Sequence, residues 1–126
     1  ALLESDAAAV VAQRCSTAQL QALHDVHLQL ENAVHDANHF FQINESFHLQ
    51  LLHLCGNRFL LQTVTDLRKV MKLNRHMSLF KQGRIRDSLQ EHSTLMGHLH
   101  SRNPEAARLA MRAHFENGLM AAVNTD

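Results

Sequence analysis

Eleven of the 126 residues are histidine, a high share for a side chain that both ligates first-row metals and titrates near neutral pH. What they can do depends on which of them meet. Asn44 and His48 are four residues apart, so on a helix they stack on one face and can reach a single ion together. His92 and His114 fall on the inward faces of two later helical segments, and an antiparallel hairpin turning near Asn103 sets them side by side. The four donors are thereby expected to converge on one interior point. Imidazole nitrogens joined by an amide oxygen suit a divalent first-row ion, zinc or nickel foremost, and four protein ligands leave coordination positions open to a cavity. Spacing alone keeps a second reading in place: a histidine on an apolar helix face is also an ordinary core residue hydrogen-bonded to a neighbour.

The elements that must position these donors are helices. The Ala- and Val-rich stretch 1–13 has helical character and no cap ahead of it, so it is expected to continue from something longer upstream. Ser16-Thr17-Ala18-Gln19 matches a capping box, and Leu20, Leu23, Val26, Leu30 and Val34 follow at helical spacing to about residue 37. Asn38 is the expected cap of a third helix over 39–55, whose stripe runs Phe40, Phe41, Asn44, Phe47, His48, Leu51 and Leu52 before Gly56 stops it. Asn57 starts a fourth helix over 57–80, with Val64, Leu67, Arg68, Met71 and Arg75 along one side. Residues 81–87, with Gly83, make the expected loop; Ser88-Leu89-Gln90-Glu91 is a second capping box and opens the helix carrying His92. Asn103 followed by Pro104 starts the helix carrying His114. The fold class that results is all-α, an antiparallel bundle of about six helices in one domain over 1–126.

Composition removes other classes. Four Gly and one Pro fall far below the roughly 12% of ordinary usage, against a turn-rich β-architecture. Twelve basic and twelve acidic side chains give no net charge, and neither Trp nor Tyr is present, so direct contact of this chain with nucleic acid is not expected. No run approaches the ~18 apolar residues of a membrane span and no secretory leader is visible, which makes a cytoplasmic location the expectation. Cys15 and Cys55 are too few for a disulfide framework and are expected as reduced thiols. Met71, Met77, Met96, Met111 and Met120 are expected to fill gaps in the core.

The run Asn44-x-x-x-His48, then Leu51 and Gly56-Asn57 with Leu60, then Glu91-His92, then Ala110-x-x-x-His114 resembles the FCD domain, the all-helical C-terminal effector domain of FadR-like GntR-type transcription regulators. The resemblance extends from Leu3-Glu4 to Ala121, and the intervals of 4, 44 and 22 residues fit that family's metal-site pattern. It implies Asn44, His48, His92 and His114 as ligands of a divalent metal, and a small carboxylic-acid effector bound over the ion. It also implies a winged helix-turn-helix domain ahead of this one, through which alone DNA is contacted, and a homodimer. Most members carry Asp where this chain has Asn44; a neutral amide is the weaker ligand and leaves more of the ion's charge uncompensated.

Arg68, on the inward stripe of the fourth helix, is a candidate effector-binding residue whose fork could clamp a carboxylate; the alternative is an internal salt bridge, to Glu45, Glu91 or groups near Asp66. Arg75, two turns on, suits a longer or dicarboxylic effector or else lies in solvent. The pairs His24/His27 and His35/His39 have ligand spacing but no third donor and are expected at the surface or core edge. Three histidines and an open position also suit a hydrolytic zinc centre, but such a centre needs a general base, and Glu45 and Glu91 are expected to point away from the ligands. An enzyme is therefore not expected. A metal with a purely structural role is the remaining alternative.

Overall fold

A computed structural model describes residues 2–123, and among them there are seven α-helices and no strand. They are α1 (Leu2–Arg14), α2 (Thr17–Glu31), α3 (Ala37–Leu54), α4 (Arg58–Val70), α5 (Lys72–Leu79), α6 (Arg84–His100) and α7 (Pro104–Val123). The expected all-α bundle is present. None of these helices is long and apolar enough to cross a membrane.

Helix α1 is the central rod. Its Ala7, Ala8, Val11 and Ala12 are fully buried, and such small side chains let α7, α3 and α6 approach it closely. Around it, α2 pairs with α3, and α6 with α7. Leu23, Phe47, Leu51, Leu52, Leu95, Leu99 and Met111 complete the main core, while Leu30, Ala33, Phe40, Phe41 and Leu79 form a second cluster toward α5. The α6–α7 turn is fixed by Arg102, whose left-handed backbone (φ 56°) reverses the chain and whose Nη1 donates to the Cys15 carbonyl at 2.6 Å. Asn103 then caps α7, its Oδ1 accepting from the Ala106 amide at 3.1 Å.

Several boundaries differ from the sequence expectations, each for a local reason. The Ser16 capping box and the Asn57 cap are formed. Helix α2 nevertheless ends at Glu31, because Asp36, two residues before the expected cap Asn38, takes the His39 amide and starts α3. The expected helix over 57–80 is two helices broken at Met71. The break is sealed by Arg75, whose Nη2 donates to the Arg68 carbonyl at 2.8 Å and so satisfies an acceptor at the end of α4. The expected loop over 81–87 is largely helical: Gly83, at φ 78°, reverses the chain, and α6 begins at Arg84. Ser88 is therefore not a cap but a buried residue of α6. Among the methionines, Met96 and Met111 are core, whereas Met71, Met77 and Met120 are exposed.

Candidate metal centre

His48 from α3, His92 from α6 and His114 from α7 meet in the interior, and one ring nitrogen of each lies within 4.8 Å of the others. All three are buried. His48 Nε2 and His114 Nε2 are 3.3 Å apart. The two rings are within hydrogen-bond reach of each other, and two nitrogens bound to one tetrahedral divalent ion at about 2.0–2.1 Å stand at a similar separation, about 3.3 Å. Phe47 and Phe115 flank the rings at centroid distances of 4.6 Å from His92 and 5.7 Å from His114.

Whether these side chains fit a metal is tested by what they otherwise lack. His92 is 1% exposed, and neither of its ring nitrogens has a hydrogen-bond partner. Nor does Asn44 Oδ1, one turn before His48 on the same buried face. Buried donors and acceptors in folded proteins are paired almost without exception, because each one left unpaired costs about 1–3 kcal/mol. An unpaired imidazole beside two further imidazoles is what a cation would satisfy, and Asn44 shares a cavity wall with His48 and His114. Burial pushes the pKa of both His48 and His92 well below the ordinary value, with neighbouring positive groups acting in the same sense. Both rings are thereby held neutral, the form that ligates metal.

Carboxylates stand behind the rings. His114 Nδ1 lies 2.6 Å from Glu91 Oε1, which puts the proton on that nitrogen and leaves Nε2 as a lone pair facing His48. Glu91 was expected to point away; it faces His114 because α6 and α7 cross directly at His92 and His114. Burial works against its charge, and hydrogen bonds from His114 and Arg84 more than offset this, holding its pKa at about 2. Glu4 from α1 was not foreseen. Its Oε2 is 3.6 Å from His48 Nδ1, and burial raises its pKa despite the opposing Arg68. The signal was present in the register Glu4, Ala8, Val11, Cys15, which places Glu4 on the inward stripe of the first helix.

Arg68 is buried between Glu4 Oε1 at 2.8 Å and Glu45 Oε1 at 2.9 Å, while its Nε has no partner. Arg75 is half-buried and clasps Glu45 with Nε at 2.7 Å and Nη2 at 2.9 Å. Both arginines thus hold internal ion pairs. They also line a cavity of about 540 Å³ whose wall includes Glu4, Asn44, His48 and His114, with Val64, Leu67, Leu79, Phe115 and Leu119 supplying apolar surface. His92, the third ring of the cluster, does not line this cavity. Of the remaining candidates, His27 is buried, with Ser93 Oγ at 3.2 Å from its Nε2, and His35 and His39 are exposed. Cys15 and Cys55 are free thiols.

A comparison with curated proteins gives no match. The family model of the FCD domain matches residues 1–117. With that match over nearly the whole chain, and an all-helical fold around a three-histidine centre, this chain belongs to the FCD domain family of regulatory domains.

Proposed function

We propose that this chain is the effector-sensing, metal-containing domain of a GntR-type transcription regulator. His48, His92 and His114 hold a divalent ion, zinc or nickel, and Asn44 Oδ1 supplies a fourth ligand. The observation that carries the reading is His92: a buried imidazole with both nitrogens unpartnered, facing two more imidazoles at the wall of a cavity. The ion supplies positive charge and open coordination positions, and a small carboxylic acid entering the cavity completes its shell.

The cavity qualifies which acid fits. Its arginines are engaged by Glu4, Glu45 and Glu91, so an anionic head finds its uncompensated charge at the metal. The unpartnered Arg68 Nε can donate one hydrogen bond to the same head, and Arg75 supports it through Glu45. The apolar wall favours a monocarboxylate with a short hydrocarbon part over a polyhydroxy acid.

Effector binding would bias the arrangement of two such domains and of the DNA-binding domains joined to them. An isologous homodimer belongs to this reading, and the exposed Phe59, Val70 and Leu73 of α4 and α5 offer apolar surface for it. Turnover is not part of it: the Glu91 carboxylate is occupied by His114, Arg84 and Asn117.

The test is calorimetry and thermal shift with a panel of mono- and dicarboxylic acids, run on metal-loaded and chelator-treated protein. A response to at least one acid that disappears with the metal is expected. If metal raises the melting temperature but no acid adds to it, the ion is structural and the sensor reading fails.

A further inference from the structure

Outside the core cluster, a second pair of imidazoles is brought together from distant parts of the chain. His24 Nδ1 on α2 and His100 Nε2 at the end of α6 lie 3.4 Å apart, with ring centroids at 5.2 Å and planes at 71°. His100 is exposed and His24 partly so. The separation is long for a hydrogen bond, which places its donor nitrogen about 2.9–3.0 Å from the acceptor. It matches the edge spanned by two nitrogens on one tetrahedral ion, about 3.3 Å.

The spacing belongs to the scaffold rather than to loose side chains. Leu23 and Leu99, the residues immediately before the two histidines, are fully buried in the main core and pin both backbones. His27, one turn along α2, is tied across to Ser93 of α6 at 3.2 Å. Its other nitrogen, Nδ1, is buried without a partner, and its ring stands 6.2 Å from that of His24. Two rigid helices therefore present a ready bite at the surface, and a binding ion would lose little conformational freedom in using it.

We propose that His24 and His100 form a second, solvent-facing divalent-metal site. Water fills its remaining positions, so it binds more weakly than a three-histidine interior centre and follows the usual order for imidazole ligands, copper above nickel and zinc. A bound ion bridges α2 to α6. The rings of His100, His24, His27 and His92 follow one another at 5.2, 6.2 and 6.5 Å, so this site stands at the surface end of a file of imidazoles leading to the core centre.

The experiment is a titration of the untagged chain with nickel(II), then zinc(II), in the wild type, His24→Gln, His100→Gln and His48→Ala/His114→Ala. The wild type should bind two equivalents. Either glutamine variant should weaken the second equivalent at least tenfold and leave the tight one unchanged, whereas the double alanine variant should keep only the weaker. A tight site that fails to appear counts against the core reading and leaves this one standing. Should the double variant not fold, copper(II) at a small fraction of an equivalent, added to zinc-loaded wild type, must broaden the His24 and His100 ring resonances first. The absence of the weaker equivalent in the wild type, its persistence in both glutamine variants, or uniform broadening of all exposed histidines overturns the proposal.

Discussion

The Nδ1 atom of His114 lies 2.6 Å from Oε1 of Glu91, so the orientation of a ring on α7 is fixed by a carboxylate on α6. The same carboxylate is gripped by Arg84 through two hydrogen bonds of 2.8 and 2.9 Å. A charged acceptor behind a ligating imidazole sets its tautomer and raises its basicity, and loss of such a partner typically costs 10–100-fold in metal affinity.

Glu91→Gln is therefore expected to weaken zinc or nickel binding by about 10–100-fold while the helical content stays unchanged. Competitive calorimetry against a chelator of known affinity measures it. An affinity within a factor of two of the wild type would mean that Glu91 does not orient the ligand.

His92 gives a prediction of opposite sign with and without metal. Both its nitrogens are buried and unpartnered, so in metal-free protein His92→Leu replaces an unsatisfied polar ring with an apolar side chain of similar size. Removing such a group is expected to stabilise the apo domain by about 1–3 kcal/mol, a rise of several degrees in melting temperature. The stabilisation that metal confers on the wild type should vanish in the variant. An apo His92→Leu less stable than the apo wild type would show that the ring is satisfied in the metal-free fold.

Asn44→Asp tests the fourth position. Asn44 is buried one turn before His48 with its Oδ1 unpartnered. If residue 44 is the fourth ligand, a carboxylate there adds charge to the shell and should tighten divalent metal binding by roughly tenfold or more. Without metal the same charge is buried without a partner and should destabilise the domain by about 1–3 kcal/mol. Unchanged metal affinity would place residue 44 outside the coordination shell.

Much of this arrangement was legible in the sequence, and the parts that were not share a cause. Helical stripes and caps at Ser16, Asn57 and Asn103 depend on neighbours within a turn or two, so the elements carrying His48, His92 and His114 could be read locally. The break at Met71 depends on Arg75 reaching both Glu45 and the Arg68 carbonyl, contacts that form only once α3 and α4 are packed. The start of α6 at Arg84 rests on Gly83 adopting a left-handed turn and on the Arg84 pair with Glu91, which outweigh a nearby capping box. Glu4 was hidden because an acid near the start of an Ala-rich helix suggests a solvent face, as at the exposed Asp6, whereas α1 is enclosed by α3, α6 and α7.

The pair Arg68–Glu4 makes the last prediction. Their 2.8 Å hydrogen bond joins two residues 64 apart in sequence, with both side chains nearly inaccessible to water. Removing one partner of a buried pair strands the other, at a cost of about 3–5 kcal/mol, while removing both is far less harmful. Arg68→Met alone is thus expected to destabilise the domain by that amount in urea denaturation, and Glu4→Gln/Arg68→Met to recover more than half of the loss. Glu45 moderates the effect, since it keeps Arg75 as a partner when Arg68 is gone. If the double variant is as unstable as Arg68→Met, the cost comes from lost packing of the arginine stem, not from an uncompensated charge on Glu4.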